Sequence, residues 1–174
     1  DRIISYDAST KKIGIDLSRN EFGEVKKIIK VKQSIFIRNY DGDVYEVKND
    51  LVSKVVEKTN DITLMNDSIV SVTDDGVHII NGQQKKISNL KFKTLNLTND
   101  FNSPYRFGVY KNILYQLELE GKELKAKRIG TLNIKEERLN NIFITKTNNH
   151  IYLSNFIDGY FDISKKKNYL KKIN

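Results

Sequence analysis

The chain has 174 residues, a net charge of +8 and 39% hydrophobic residues, and it contains no cysteine. This length can bury a hydrophobic core, and the composition excludes a disordered chain and a membrane-spanning one. The absence of cysteine excludes a disulfide framework, a thiol nucleophile and cysteine-ligated zinc or iron–sulfur sites. Alanine occurs only at Ala8 and Ala126, whereas Ile, Val, Tyr and Phe are frequent, which favours strands over helices.

One pattern recurs along the chain: an apolar run rich in β-branched residues, a polar turn and a second alternating run. Asp or Asn beside Gly favours a tight reversal, because Gly accepts the positive φ that such turns need. The pattern predicts five hairpins, of which the first lacks the turn glycine. They cover residues 2–17, 34–47, 67–80, 112–124 and 150–163.

Further strands are predicted between these hairpins. Residues 25–31 and 141–145 each lead into a hairpin, and residues 89–97 alternate between apolar and polar side chains. Residues 51–56 have a spacing close to helical, but their β-branched valines favour a strand. Residues 134–140 are interpreted as a loop or a single turn, and residues 98–105, which include Pro104, form the longest irregular stretch.

The turn glycines Gly42, Gly76, Gly121 and Gly159 lie 34, 45 and 38 residues apart. Four short strands in each unit of about 40 residues are typical of a β-propeller blade. The sequence therefore predicts an all-β fold, a β-propeller-like array of about four to five short antiparallel blades. Because no Pro/Gly/Ser-rich linker divides the chain, we expect a single β-repeat domain over residues 1–174, either complete or part of a larger propeller.

With these hairpins, the chain resembles a degenerate WD40-type β-propeller. The resemblance lies in residues 6–17, 41–47, 75–80 and 158–163, and Ile15-Asp16 stands where the family has Trp-Asp. The chain has no tryptophan and no Gly-His pair, which leaves open an NHL-like, RCC1-like or bacterial lipoprotein propeller, and a β-trefoil. WD40-type propellers usually carry seven blades. The resemblance thus implies that the chain is a fragment or that another chain supplies the missing blades or a closing strand.

Candidate catalytic and metal-binding residues are few. His78 and His150 lie in or beside predicted strands, at positions that do not correspond, and show no metal-ligand spacing. Asn39, Asp41 and Asp43 alternate as calcium ligands can, but a hairpin turn explains them. Because no Gly-x-Ser-x-Gly elbow or Gly-rich phosphate loop occurs, we predict a protein that is not an enzyme, with no catalytic residue, metal or cofactor.

Lysine supplies 24 of the 30 basic residues and clusters at several places. Its abundance, together with that of Asn and Ile, is typical of an AT-rich genome, and lysines in alternating strands line solvent faces. The alternative interpretation is a basic surface for nucleic acid or another polyanion. The scarcity of arginine argues against base-specific recognition. The candidate residues are Lys26, Lys27, Lys30, Lys85, Lys86, Lys165, Lys166 and Lys167.

These observations favour a non-catalytic β-propeller-type scaffold for protein–protein interaction, completed by a partner chain if blades are missing. One alternative is a basic β-module that binds nucleic acid or another polyanion. A second is a surface or periplasmic β-domain that binds a glycan or small ligand. We expect a protein partner, no membrane span and no evident small-molecule substrate. The sequence leaves the compartment open, although the lack of a signal peptide at Asp1 favours an intracellular location.

Overall fold

The computed structural model describes residues 2–7, 9, 11–18, 22–81, 83–92, 106–132, 142–146, 150–155 and 159–162. The chain divides into two compact units, Asp1–Thr59 and Asn60–Asn174. Within the described residues there are sixteen strands and no helix, so the predicted all-β class is confirmed.

Unit 1 contains a two-stranded and a four-stranded antiparallel sheet. The first consists of β1 (Arg2–Asp7) and β2 (Lys12–Ser18). The second has the order β3-β4-β5-β6, formed by β3 (Val25–Val31), β4 (Ser34–Asn39), β5 (Val44–Lys48) and β6 (Leu51–Val56). Neighbours in space are neighbours in sequence, as in a meander of hairpins.

Burial in the four-stranded sheet of unit 1 follows the position of each strand. The central strand β4 is buried from Ile35 to Asn39, whereas β3 and β6 lie at the two edges and alternate with exposed residues. Phe22, Ile35, Ile37 and Val47 form the buried cluster on one face. Asn49 and Asp50 both have positive φ, which is the geometry of the two-residue turn between β5 and β6.

Unit 2 contains three antiparallel sheets. The first has the order β10-β9-β8-β7, from β7 (Asp61–Met65), β8 (Ser68–Thr73), β9 (Gly76–Asn81) and β10 (Gln83–Ser88). The second contains β11 (Arg106–Tyr110), β12 (Ile113–Glu120) and β13 (Glu123–Thr131). The third contains β14 (Ile142–Lys146), β15 (Ile151–Asn155) and β16 (Gly159–Asp162).

The sheets of unit 2 pack through their apolar faces. Val70, Val72 and Val77 of the first sheet share a cluster with Leu117 and Leu119 of the second. A further cluster joins the second sheet to the third and contains Phe107, Val109, Leu114, Leu132, Ile144 and Leu153. The middle sheet is thus apolar on both faces. This arrangement suits short sheets stacked one on another.

Most of the predicted strands are confirmed, including β3, β6 and the strands of all five hairpins. The fourth hairpin turns later than predicted, at Gly121–Lys122, because Leu117 and Leu119 continue the buried alternation of β12. The strand predicted from Asn89 is wrong over residues 89–92, which follow β10 without strand pairing. The predictions for residues 93–97, 98–105 and 134–140 lie outside the described residues.

Candidate functional site

The structure places the predicted basic residues in separate sheets. Lys26 and Lys30 are exposed on β3 of unit 1, and Lys27 is half-buried on the same strand. Lys85 and Lys86 are exposed on β10 of unit 2. Lys165, Lys166 and Lys167 lie outside the described residues. One surface that joins all eight lysines therefore stays a prediction.

The edge strand β3 presents apolar as well as basic side chains. Ile28 is 47% exposed and shares a face of the strand with Lys30, two residues later. Lys26 lies at a β-bulge, is exposed, and holds its Nζ 5.7 Å from the ring centroid of Tyr40. Tyr40 itself is 61% exposed. Lys26, Ile28, Lys30 and Tyr40 are called the β3 surface below.

The turn that carries Tyr40 is tied to the segment before β3. The Tyr40 backbone N–H donates to the Glu24 carbonyl at 2.9 Å, and the Asn39 side-chain Nδ2 donates to the Phe22 carbonyl at 3.0 Å. The Asn39 Oδ1 accepts the Asp43 backbone N–H at 2.8 Å. Both polar atoms of the Asn39 amide are thus used by the backbone, which favours the turn interpretation over the calcium interpretation.

The buried guanidinium of Arg38 is hydrogen-bonded to Thr59, which in turn contacts the same turn at Gly42. Arg38 donates from Nη2 to the Thr59 carbonyl at 2.7 Å and from Nε to the Thr59 hydroxyl at 3.2 Å. The Thr59 hydroxyl and backbone N–H both donate to the Gly42 carbonyl, each at 2.7 Å. These bonds join β4, the turn and the end of unit 1. The β3 surface therefore lies beside a turn that several hydrogen bonds hold in place.

The carboxylate of Asp43 is also engaged. Lys54 Nζ lies 2.9 Å from Asp43 Oδ2 and 3.3 Å from Glu57 Oε1. The hydrogen bond with Asp43, followed by that with Glu57, raises the pKa of Lys54 above its ordinary value. In the described part of the chain, no group of three or more acidic or histidine side chains is arranged to hold a metal ion.

A polar cluster surrounds the β8–β9 turn of unit 2. The Thr73 hydroxyl donates to Asp75 Oδ1, while His78 Nε2 lies 3.4 Å and Lys86 Nζ 3.6 Å from the same carboxylate. His78 Nδ1 lies 3.5 Å from Thr73 Oγ1. The His78 side chain is buried and Asp75 is exposed. Because the imidazole lies under the turn, this arrangement fastens the turn to β9 and β10.

Replacement of Asp75 by asparagine is expected to lower the free energy of unfolding at neutral pH. The hydrogen bond from Thr73, aided by His78 and Lys86, holds the pKa of Asp75 below its ordinary value of 3.8. This stabilisation is present above pH 3.8 and is lost as the pH falls through the folded-state pKa. The free energies of unfolding of the wild type and of Asp75→Asn, measured in urea, should therefore converge at acidic pH. Asp41→Asn, at an exposed turn position, is the control.

His150 does not share a site with His78 in the structure. It precedes β15, and its ring stacks on Tyr152 with centroids 5.8 Å apart. His78 thus lies in β9 of the first sheet, whereas His150 lies just before β15 of the third sheet. Among the described residues, no helix has the length and apolar character needed to cross a bilayer.

No family model matches this sequence, and no curated protein matches it. Several solved structures do match this chain. The N-terminal domain of Nup159 matches with a TM-score of 0.51 and 10% identity over 91% of this chain and 55% of that one. Hsv2 of Kluyveromyces lactis matches with a TM-score of 0.56 and 11% identity, over 91% of this chain and 53% of that one. Both are propeller-type proteins.

The fold is propeller-like. At about 10% identity, the likeness extends to the fold and not to activity or partners. The chain spans about half the length of the two solved structures. The predicted β-propeller-like array of short antiparallel blades is confirmed at this level.

Sequence reasoning located the lysines of the β3 surface but missed its apolar members. Ile28 stands next to Ile29 in a predicted strand, where an aliphatic residue predicts a core position rather than an exposed one. Tyr40 stands in a turn, and its position beside Lys26 depends on the hydrogen bond to Glu24. A signal was present in both cases: an apolar residue between lysines, and an aromatic residue in a polar turn.

Proposed function

We propose that this chain is a non-catalytic propeller-type scaffold that binds another protein. The observation that carries the proposal is the β3 surface, where exposed apolar and basic side chains lie together on the edge of a sheet. In the described part of the chain, the large exposed hydrophobic residues are Ile28, Tyr40 and Leu51, and all three belong to unit 1. Exposed apolar side chains framed by polar ones are typical of protein interaction sites.

The propeller-like fold supports the same proposal. Short antiparallel sheets present their edge strands and turns at the surface, and such turns can vary while the buried strands keep the fold. The proposal includes a WD40-type relationship, which the Asp-Gly turns at Asp41-Gly42 and Asp75-Gly76 support. It also includes completion of the array, either by further residues of the same protein or by a second chain, since the matched solved structures are about twice as long.

Affinity isolation from the source cells tests the scaffold. We expect the tagged chain to retain a specific second protein at a fixed stoichiometry, measured by quantitative mass spectrometry and then by size-exclusion chromatography of the reconstituted pair. An Ile28→Asp/Tyr40→Asp variant should lose that protein. Leu117→Ala, which weakens the fold without touching the surface, controls for loss through unfolding. A chain that isolates without any stoichiometric protein would refute the proposal.

Polyanion binding is the second candidate, because Lys85 and Lys86 are exposed on β10 in addition to the lysines of β3. A polyanion held by several lysines binds with a strong salt dependence, since each neutralised phosphate releases counterions. Titration of single-stranded and duplex DNA at low and physiological salt would measure this. No binding at low salt would remove the candidate.

A further inference from the structure

We propose that the β3 surface binds an extended acidic segment of the partner protein, added as a strand along the edge of β3. This inference rests on the scaffold function proposed above and names the chemistry of the segment that the scaffold binds. The partner segment is a peptide in which acidic residues flank an apolar one, all on the same face of the strand.

The strand β3 lies at the edge of its sheet. It is the terminal strand of the order β3-β4-β5-β6 and pairs with β4 from Val25 to Val31. Half of the backbone N–H and C=O groups of an edge strand point away from its neighbour, so such an edge is a template for another strand. Lysines on an edge normally hinder association with apolar strands. The same lysines favour association when the added strand is acidic.

The segment that forms β3, β4 and the following Tyr40 is positively charged. Residues 25–40 contain Arg38 and four lysines but no aspartate or glutamate. Arg38 is buried against Thr59, which leaves the lysines as the cations near the surface. Lys26 and Lys30 flank Ile28 at spacings of two residues. An extended peptide with acidic residues at the first and fifth positions can place one carboxylate near Lys30, which follows Ile28 by two residues, and the other near Lys26 at the β-bulge.

The centre of the β3 surface is apolar. Ile28 has 47% of its surface exposed, between the two lysines. The third residue of such a peptide would lie opposite Ile28, where an aliphatic side chain would cover it. Tyr40, held near Lys26, adds an aromatic face at one end of the strand. The pattern that fits is thus acid, any residue, aliphatic, any residue, acid.

These features favour a peptide over nucleic acid. A phosphate backbone would pair with the lysines but would leave Ile28 uncovered and the strand edge without hydrogen-bond partners. The strand β3 contains no arginine, the residue type that reads bases and stacks on them. A peptide strand uses all three elements of the surface together.

A synthetic peptide tests the proposal with the full 174-residue chain. The probe is a fluorescein-labelled peptide with the core Glu-Thr-Val-Thr-Glu. Its binding to the chain is measured by fluorescence anisotropy. A matched peptide carries Gln in place of Glu, and another keeps every side chain but has N-methylated backbone amides. We expect the first peptide to bind and both matched peptides to bind at least about tenfold more weakly. Equal binding of the N-methylated peptide would exclude strand addition.

Variants of the chain locate the site. The double variant K26E/K30E should weaken binding at least about tenfold, and Ile28→Thr, which retains β propensity, about fivefold. The control K122E/K127E makes the same change in net charge at exposed positions in and after the β12–β13 turn, and should alter binding by less than about twofold. Should K26E/K30E fail to fold, K26Q/K30Q replaces it. Equal weakening by K26E/K30E and K122E/K127E would overturn the proposal.

Two further outcomes separate this inference from the scaffold function. Competition by oligothymidylate as strong as that by the acidic peptide would overturn the peptide interpretation in favour of a polyanion. If a native protein partner is isolated and K26E/K30E still retains it fully, the β3 docking site is wrong while the scaffold function stands. If no protein partner exists, the scaffold function itself fails, whatever the synthetic peptide does.

Discussion

Replacement of Gly76 by alanine is expected to destabilise the fold by about 3 kcal/mol, through backbone strain and a steric clash. Gly76 has a φ of +146°, which residues with a side chain rarely adopt. A Cβ built at this position would lie 2.1 Å from the Ser88 carbonyl oxygen and 3.0 Å from Lys86 Cε. Because Ser88 O is a backbone atom at the end of β10, the turn and the strand would have to separate.

Two other glycines of unit 2 provide matched controls for Gly76→Ala. Gly121 has a φ of +60° but open space around its Cβ position, so Gly121→Ala should cost about 1 kcal/mol from conformation alone. Gly130 has neither a positive φ nor a close neighbour, so Gly130→Ala should be neutral or slightly stabilising. Urea unfolding followed by circular dichroism measures all three. Equal effects in the three variants would contradict the described packing of the β8–β9 turn on β10.

Leu117→Ala is expected to cost about 3 kcal/mol, the usual loss when a fully buried leucine is removed. Leu117 is 0% exposed and packs in the cluster that joins the first and second sheets of unit 2. Its truncation leaves a cavity in that cluster, which also contains Val70, Val72 and Phe92. The same measurement of unfolding in urea gives the value, and the change should appear mainly in the midpoint rather than in the slope.

Leu51→Ala is the control for the core variant. Leu51 is 75% exposed at the start of the edge strand β6, so the same deletion of side-chain atoms should change stability by less than about 0.5 kcal/mol. A loss at Leu51 as large as that at Leu117 would mean that Leu51 packs against something. A negligible loss at Leu117 would contradict the face-to-face packing of the two sheets.

The hairpins were predictable because their signals are local. Alternation of apolar and polar residues fixes the strand faces, and Asp-Gly at 41–42 and 75–76 fixes the reversals. Three other turns carried a weaker local signal. Asn49-Asp50, Asn66-Asp67 and Lys111-Asn112 all have two successive positive φ values, which Asn and Asp tolerate better than other residues with side chains.

Other strands could not be predicted, because tertiary pairing forms them. β10 has the sequence Gln-Gln-Lys-Lys-Ile-Ser and pairs with β9 despite the lack of apolar alternation at its start. Residues 89–92 alternate better, yet they leave the sheet so that Phe92 is buried among Leu117, Tyr115 and their neighbours. Burial of one large aromatic side chain outweighs local strand propensity there.

The candidate site was predictable in its charge and not in its shape. The lysines of β3 are visible in the sequence, but the exposure of Ile28 follows from the position of β3 at a sheet edge. The Thr73, Asp75, His78 and Lys86 cluster likewise depends on the β8–β9 and β9–β10 pairings, which bring four separated polar residues together. Sequence spacing alone does not reveal such cross-strand neighbours.

The most direct test of protein binding at the edge of β3 is photo-cross-linking in the source cells, from a diazirine-bearing amino acid placed at residue 28. The matched site is residue 83, an exposed position on β10. We predict that residue 28 cross-links to one protein, through a segment rich in acidic residues, and that residue 83 does not. Cross-links from residue 28 to nucleic acid, or equal yields of many proteins from both positions, would contradict a protein-binding scaffold that uses the edge of β3.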